Sequence, residues 1–305
     1  MTGKRFIFIN CLCVLLGLFA ACGDGVGEDV LPQKKAQTQE RAERQIEEHS
    51  FEVELDGWGQ VMFAPFLQDN DANQAQGNRD VQFKLLRDGK TVYTFPARYE
   101  DDILQGQKCE GVAAVSFYDY NEDGRKDILL LIKYTGGDSA MSTIFYEPRL
   151  FTQEEKALEF HVDLCPMEYL FDYRDSIADM KKGLQNYARK YQIATPNSAW
   201  EVERFAKRVK RLILAGDFAG LADNMVFPIR IDETVYMDKA AYMKAEFVTN
   251  PSPEFIEALK AESCEDLFCN YSGIMMGDGL CWISDDGGSQ GLKVYAVNGI
   301  TQERD

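Results

Sequence analysis

The chain has 305 residues, a hydrophobic fraction of 45% and a formal net charge of −17 at neutral pH. That hydrophobic content is enough for a globular core, and the strong negative charge excludes nucleic acid and anionic lipid headgroups as natural partners. The longest apolar stretch, residues 6–19, has 14 residues, whereas a spanning helix needs about 20.

The N-terminus carries the signs of an export signal. Lys4 and Arg5 precede the apolar stretch, and two alanines separate it from Cys22. This order is typical of a secretory signal; it resembles a bacterial lipoprotein signal, in which the cysteine becomes the acylated first residue. The resemblance implies a signal peptide over 1–21, lipid attachment at Cys22, and a location in the bacterial cell envelope. In a Gram-negative cell this would be the outer membrane, facing the periplasm or the cell surface. An ordinary cleaved signal is the alternative.

Residues 22–50 are polar and charged, and we predict a tether there, flexible or partly helical over 34–48. Residues 51–195 are predicted to form a β-rich domain that ends in one long helix over 170–191, where apolar residues recur every three or four positions. The predicted strands are 51–55, 60–66, 81–86, 91–99, 112–118, 128–134 and 142–150. Asp88 and Gly89 are predicted to form a hairpin turn.

Residues 196–305 are predicted to form a second, α+β domain. Ser198 and Glu201 have the spacing of a capping box and open a helix. The predicted order is helix, helix, two strands, helices and three strands. With the helix-Ala-Gly-Asp-helix junction at 215–217, it resembles the nuclear transport factor two-like fold, which implies a small cone of helices packed on a curved antiparallel sheet.

Residues 119–127 contain the most specific local motif, with the pattern D-x-N-x-D-G-x-x-D between two predicted strands. Calcium prefers several hard oxygen ligands, which alternate positions of a tight loop can supply. An EF-hand would need an acid where Leu130 stands, so the loop instead resembles the FG-GAP calcium loops. The resemblance implies a structural calcium ion; an acidic turn that binds nothing is the alternative. The predicted ligands are the side chains of Asp119, Asn121, Asp123 and Asp127 and the carbonyl of Arg125.

Five cysteines remain after Cys11, Cys13 and Cys22 are set aside: Cys109, Cys165, Cys264, Cys269 and Cys281. An exported protein can form disulfides. We expect a Cys109–Cys165 pair and one pair among the last three, with one thiol left over.

The sequence favours a non-catalytic envelope lipoprotein that binds a small ligand or an envelope protein. Its two histidines, His49 and His161, lie in no hydrolase motif. An acidic inhibitor or immunity protein for a basic envelope enzyme is one alternative, since removing Lys4 and Arg5 with the signal takes the charge from −17 to −19. A cone-pocket enzyme is the other, and its acid and base would come from Asp223, Asp232, Tyr236 and Tyr242.

Overall fold

The computed structural model describes residues 43–68, 78–98, 103–104, 106–136, 143–153, 158–285 and 291–301. The predicted signal, Cys22 and the predicted tether up to residue 42 lie outside the described residues. Arg41–Asp305 is one compact unit. It has an α+β architecture, with a β-rich first half followed by helices and a second large sheet.

The β-rich half contains three sheets. Its strands are β1 (Glu43–Gln45), β2 (Phe51–Leu55), β3 (Gly59–Gln68), β4 (Asn78–Arg79), β5 (Gln82–Arg87), β6 (Lys90–Thr94), β7 (Ile103–Leu104), β8 (Gln107–Tyr118), β9 (Asp127–Gly136), β10 (Thr143–Gln153) and β11 (Phe160–Val162). The strand orders are β1-β3-β5-β6 with β2 on β3, β11-β10-β9-β8, and β4-β7. The first two sheets contact each other through aromatic rings, such as Phe83 and Phe151, which meet edge to face with centroids 5.7 Å apart.

Two predictions in this half need correction. The strand expected over 91–99 ends at Thr94. The end of the predicted tether is folded, because β1 pairs with β3 and Ile46 is only 5% exposed. The predicted turn at Asp88 and Gly89 is confirmed, with φ angles of 51° and 73° between β5 and β6.

The prediction of one continuous helix over 170–191 is wrong. The structure has α1 (Leu164–Tyr169) and α2 (Ile177–Ala188), separated by a turn. The second helix starts where it does because the Ser176 hydroxyl accepts a hydrogen bond from the Asp179 N–H at 3.1 Å. The apolar side chains of the stripe, Leu170, Met180, Leu184, Tyr187 and Tyr191, are nevertheless buried as their spacing indicated.

The second half begins at the predicted capping box, which is confirmed: Ser198 N–H donates to Glu201 at 2.9 Å, and Glu201 N–H donates to the Ser198 hydroxyl at 3.4 Å. Its helices are α3 (Ala199–Leu214), α4 (Phe218–Ala222), α5 (Lys239–Tyr242) and α6 (Pro253–Ala261). Short 3₁₀ helices occur over Glu47–His49 in the first half and Glu246–Val248 here.

The six-stranded sheet of the second half contains β12 (Met225–Ile231), β13 (Thr234–Tyr236), β14 (Phe268–Asn270), β15 (Gly273–Met276), β16 (Cys281–Asp285) and β17 (Leu292–Val297). The order is β13-β12-β17-β16-β15-β14. Since β12 and β17 are parallel, the sheet is mixed and not purely antiparallel as expected. The structure adds one strand, β14, before the three final strands that the sequence predicts. Tyr271 lies in the turn between β14 and β15 and is 87% exposed.

The larger hydrophobic core crosses the boundary predicted at 195/196. It combines Leu129 and Leu150 of the β8–β11 sheet with Leu184 of α2, Val202 of α3 and Ile274 of β15. A smaller core fills the space between the two first-half sheets. Residues on both sides of the predicted boundary therefore share one core.

Candidate functional site

The acidic loop, residues 119–127, connects β8 to β9, which pair up to Tyr118 and Asp127. The chain reverses through Glu122 and Gly124, whose φ angles are +59° and +85°. Gly124 adopts the left-handed conformation at no steric cost, which is the reason for glycine at this point of the motif. Strand pairing therefore fixes both ends of the loop.

The side-chain oxygens of the loop turn inward onto its own backbone. Asp119 accepts hydrogen bonds from the N–H groups of Asp123 at 3.1 Å and Gly124 at 2.9 Å. Asn121 accepts from Asp123 N–H at 3.0 Å, and Asp123 accepts from Arg125 N–H at 2.8 Å. Each oxygen retains lone-pair capacity for another partner.

Asp127 is the buried member of the loop, with 0% of its surface exposed. One carboxylate oxygen accepts from Tyr120 N–H at 3.1 Å, and the other has no hydrogen-bond partner among the described residues. Burial, followed by the charges of Asp123 and Asp119, raises the pKa of Asp127 to about 8. A buried carboxylate with an unpaired oxygen is costly unless a proton or a cation satisfies it.

The loop therefore fits a hard cation in its donor chemistry, and all five predicted ligands are brought together in one turn. Within the described residues, however, no three His, Cys, Asp or Glu side chains are placed as a metal-ligand group. The two observations agree if the carboxylates need a small rearrangement, because they now bond to backbone amides. Asn121 and the Arg125 carbonyl would add neutral oxygens to the set.

A cavity of about 550 Å³ adjoins the acidic loop. Asn121, Glu122, Asp123 and Arg125 line one side, and α3 lines the opposite side. The sequence analysis did not predict this cavity, because segments that are distant along the chain form it.

Arg204 of α3 connects the two sides of the cavity. Its guanidinium donates to the carbonyl oxygens of Asn121 at 2.6 Å and Glu122 at 3.4 Å. Because these carbonyls belong to the acidic loop, a change in the loop backbone would also change the hydrogen bonds that Arg204 of α3 makes.

The cavity wall also carries three sets of hydrogen-bonded polar side chains that the sequence analysis did not predict. The Tyr120 hydroxyl donates to Asp163 at 2.7 Å, and the Thr152 hydroxyl lies 2.7 Å from His161 Nε2. Glu203 accepts from the hydroxyls of Tyr187 at 2.7 Å and Tyr191 at 3.0 Å. Burial raises the pKa of Asp163 and of Glu203, so both acids resist ionisation.

The four residues predicted for a cone-pocket enzyme do not come together as an acid and base pair. Asp223 forms an ion pair with Lys239 at the surface, and Asp232 accepts hydrogen bonds from the backbone N–H groups of Gly299 and Thr301. Tyr236 and Tyr242 lie in an aromatic cluster with centroids 6.3 Å apart.

The five cysteines expected to form disulfides are all free thiols in the part of the chain that the structure describes. Burial raises the pKa of Cys109 and Cys281 to about 12, which makes both thiols unreactive. The disulfide pairing stays a prediction.

Comparisons of the chain with models of protein families, with curated proteins and with solved structures find no match. Among the helices of the described residues, none has the length and apolar character to cross a membrane. Functional inference therefore depends on the acidic loop and the cavity beside it.

Proposed function

We propose that the chain is a non-catalytic, lipid-anchored protein of the bacterial cell envelope that binds a ligand through a calcium-stabilised module. The observation that carries this proposal is the unpaired, fully buried oxygen of Asp127 inside an acidic loop. A structural cation would satisfy that oxygen and neutralise the repulsion among three neighbouring aspartates.

In this proposal, calcium is held by the side chains of Asp119, Asn121, Asp123 and Asp127 and by the Arg125 carbonyl. Its role is to hold the loop between β8 and β9 in one conformation. Because Arg204 donates to two loop carbonyls, the ion also fixes the position of the loop relative to α3.

The anchor is proposed from the sequence around Cys22. Lys4, Arg5 and the apolar stretch would direct export, and the acylated cysteine would hold the folded unit at the membrane. Mass spectrometry of the N-terminal peptide is expected to find Cys22 as the first residue with an acyl mass added. A first residue at any other position, or an unmodified Cys22, would overturn the anchor.

The cone-like arrangement of the second half is part of the same proposal. Four helices precede or interrupt a six-stranded sheet, and α3 packs its apolar face into the core that the sheet shares. The parallel pair β12–β17 departs from the antiparallel sheet that the resemblance to the nuclear transport factor two-like fold implies.

The calcium site is tested by thermal unfolding of the lipidated chain in detergent, with and without added calcium. We expect calcium to raise the melting temperature, since a ligand that binds only the folded state stabilises it by mass action. Asp127→Asn should behave oppositely: the amide needs no proton, so it removes the cost of protonating the buried acid at neutral pH. It should raise the melting temperature in calcium-free buffer and abolish the response to calcium.

Asp238→Asn is the matched control, because Asp238 caps α5 away from the loop and asparagine is an equally good cap. Its response to calcium should equal that of the unmodified chain. A melting temperature that ignores calcium in the unmodified chain would disprove the calcium site.

A further inference from the structure

The cavity beside the acidic loop has the size of a small-molecule site. Its volume of about 550 Å³ lies within the range of about 300–1,000 Å³ that ligand pockets occupy. Its walls belong to four parts of the chain: the acidic loop, the ends of β10 and β11, one face of α3, and the segment after α6 at Glu265. The question is which ligand chemistry these walls suit.

One wall is a row of four cations on α3, which we call the cationic row: Arg204, Lys207, Arg208 and Arg211. Their spacing of three and four residues places them on one face of the helix. Like charges at this spacing destabilise a helix, and a chain with net charge −17 has many acids that could have been placed among them. An anion bound against the row would offset the repulsion among these four cations.

The cationic row is only partly neutralised by the protein. Lys207 pairs with Glu265 at 2.6 Å, and Arg204 bonds only to neutral carbonyls. Arg208 and Arg211 have no hydrogen-bond or ion-pair partner in the described ranges of the chain. Two guanidinium groups are therefore available at the cavity wall.

Four of the five acids of the cavity wall are committed to other partners, Glu265 through its pair with Lys207. Asp163 accepts from Tyr120, and Glu203 accepts from two tyrosines. Asp123 pairs with Arg125 at 2.9 Å. The lining carries five cationic and five acidic side chains, so its formal charge is balanced. The unpartnered members of the cationic row supply the positive charge that an anion would meet.

Two buried N–H donors on the cavity wall also lack acceptors. Trp200 is only 7% exposed, and its indole Nε1 has no partner among the described residues. Arg125 Nε is likewise buried without a partner in that part of the chain. Unpaired buried donors are rare in folded proteins because each costs a lost hydrogen bond.

We propose that this cavity binds a small organic ligand through an anionic oxygen group, a carboxylate or a phosphate, held by Arg208, Arg211 and the Trp200 indole. The inference rests on the proposed function as a binding module and names the class of ligand. Guanidinium groups suit both anions because their planar fork matches two oxygens at once.

Calcium in the acidic loop strengthens anion binding in this arrangement. The ion adds positive charge next to the cavity and fixes the carbonyls that hold Arg204. By linkage, the anion then strengthens calcium binding by the same factor.

Isothermal titration of the lipidated chain in detergent tests the proposal with three probes of similar size: phenyl phosphate, benzoate and benzyl alcohol. The buffer is first freed of calcium on a chelating resin, so that any strengthening by calcium is absent and the cavity's own side chains are tested. We expect at least one of the two anions to bind with a Kd of about 1 mM or tighter and the neutral alcohol to bind at least about tenfold more weakly. Whichever anion binds more tightly identifies the phosphate or the carboxylate.

The double variant Arg208→Gln/Arg211→Gln should weaken that anion at least about tenfold. Arg189→Gln/Arg230→Gln removes the same charge at two exposed arginines that do not line the cavity, and it should leave the Kd unchanged. Trp200→Phe keeps an aromatic ring without the N–H donor and should weaken the anion by a smaller factor.

Three results would overturn the inference: neither anion binds, the alcohol binds as well as the anions, or both double variants weaken binding equally. The calcium proposal fails separately, through a melting temperature that ignores calcium. A cavity that binds the alcohol but not the anions would leave the binding module standing and remove only the anionic ligand.

Discussion

Three buried ionic groups of this protein differ in how completely their partners satisfy them. Arg149 and Asp80 form an ion pair at 2.9 Å, and the Tyr134 hydroxyl bonds to both. Glu203 receives two tyrosine hydroxyls. Asp127 alone of these keeps an oxygen without a partner in the described chain. Arg149 Nε also lacks a partner among the described residues, but an unpaired carboxylate oxygen such as that of Asp127 is the group that a cation would satisfy.

Glu203 offers a prediction on pH. Its folded pKa is raised by burial, so between the unfolded value near 4.3 and the higher folded value the folded state binds more protons. Its contribution to stability is therefore fully present below about pH 4 and is lost as the pH rises through the folded pKa. Glu203→Gln removes the titration but keeps an oxygen acceptor for the tyrosines.

We expect the free energy of unfolding to fall less steeply with pH in Glu203→Gln than in the unmodified chain, as measured by urea unfolding between about pH 4 and 8. Glu257→Gln, at an exposed position of α6, serves as the control and should leave the slope unchanged. Equal slopes in all three proteins would contradict a raised pKa at Glu203.

At the scale of elements, α3 contributes one face to the hydrophobic core and the other to the cavity wall. The inner face of α3 packs Val202, Val209 and Ile213 into the core, and its outer face carries the cationic row along the cavity.

Gly183 of α2 lets that helix approach the preceding turn closely: a Cβ there would lie 2.5 Å from Leu170 and 3.0 Å from Tyr173.

Gly183→Ala tests this close approach. Alanine is the better helix former by about 1 kcal/mol, so an exposed helical site would gain stability. Here we expect a loss of about 1–3 kcal/mol in the free energy of unfolding, because the methyl group meets packed side chains. Chemical denaturation measures the change.

The double variant Gly183→Ala/Leu170→Ala supplies the control for Gly183. It should lose less stability than the two single variants together, since the smaller Leu170 replacement makes room for the new methyl group. A strictly additive result would show that a methyl group at position 183 does not clash with the side chain of Leu170.

At the scale of the whole molecule, the compact unit is organised around a core that both halves share. Leu129 and Leu150 come from the first half, and Val202 and Ile274 come from the second. Neither half can lose its structure without exposing apolar surface of the other. The predicted division at 195/196 describes a change of architecture along the chain, and the core continues across it.

We therefore expect one cooperative thermal transition. Scanning calorimetry should give a calorimetric enthalpy equal to the van't Hoff enthalpy, the mark of two-state unfolding. Leu129→Ala, a change in the β8–β11 sheet, should lower the temperature of the whole transition, with a cost of about 2–5 kcal/mol. Two separate transitions, only one of them moved by Leu129→Ala, would instead indicate independent halves.

Much of the fold was predictable where its cause is local. The capping box of Ser198 and Glu201 and the turn at Asp88 depend on neighbours within a few residues, and both are confirmed. The long helix over 170–191 failed because its apolar spacing continues through a turn. The Ser176 cap was the signal that it stops there.

The sequence by itself determined the α+β class, the caps, the turns and the acidic loop, because short-range geometry and hydrophobic periodicity are written in adjacent residues. Only the tertiary structure decided that Ile46 belongs to the fold, that the core crosses residue 195, and that Asp127 is buried with an unpaired oxygen. It also placed Arg204 and Trp200 against a loop some eighty residues earlier. Burial and distant contacts depend on how elements pack, and one chain's local pattern is compatible with many packings.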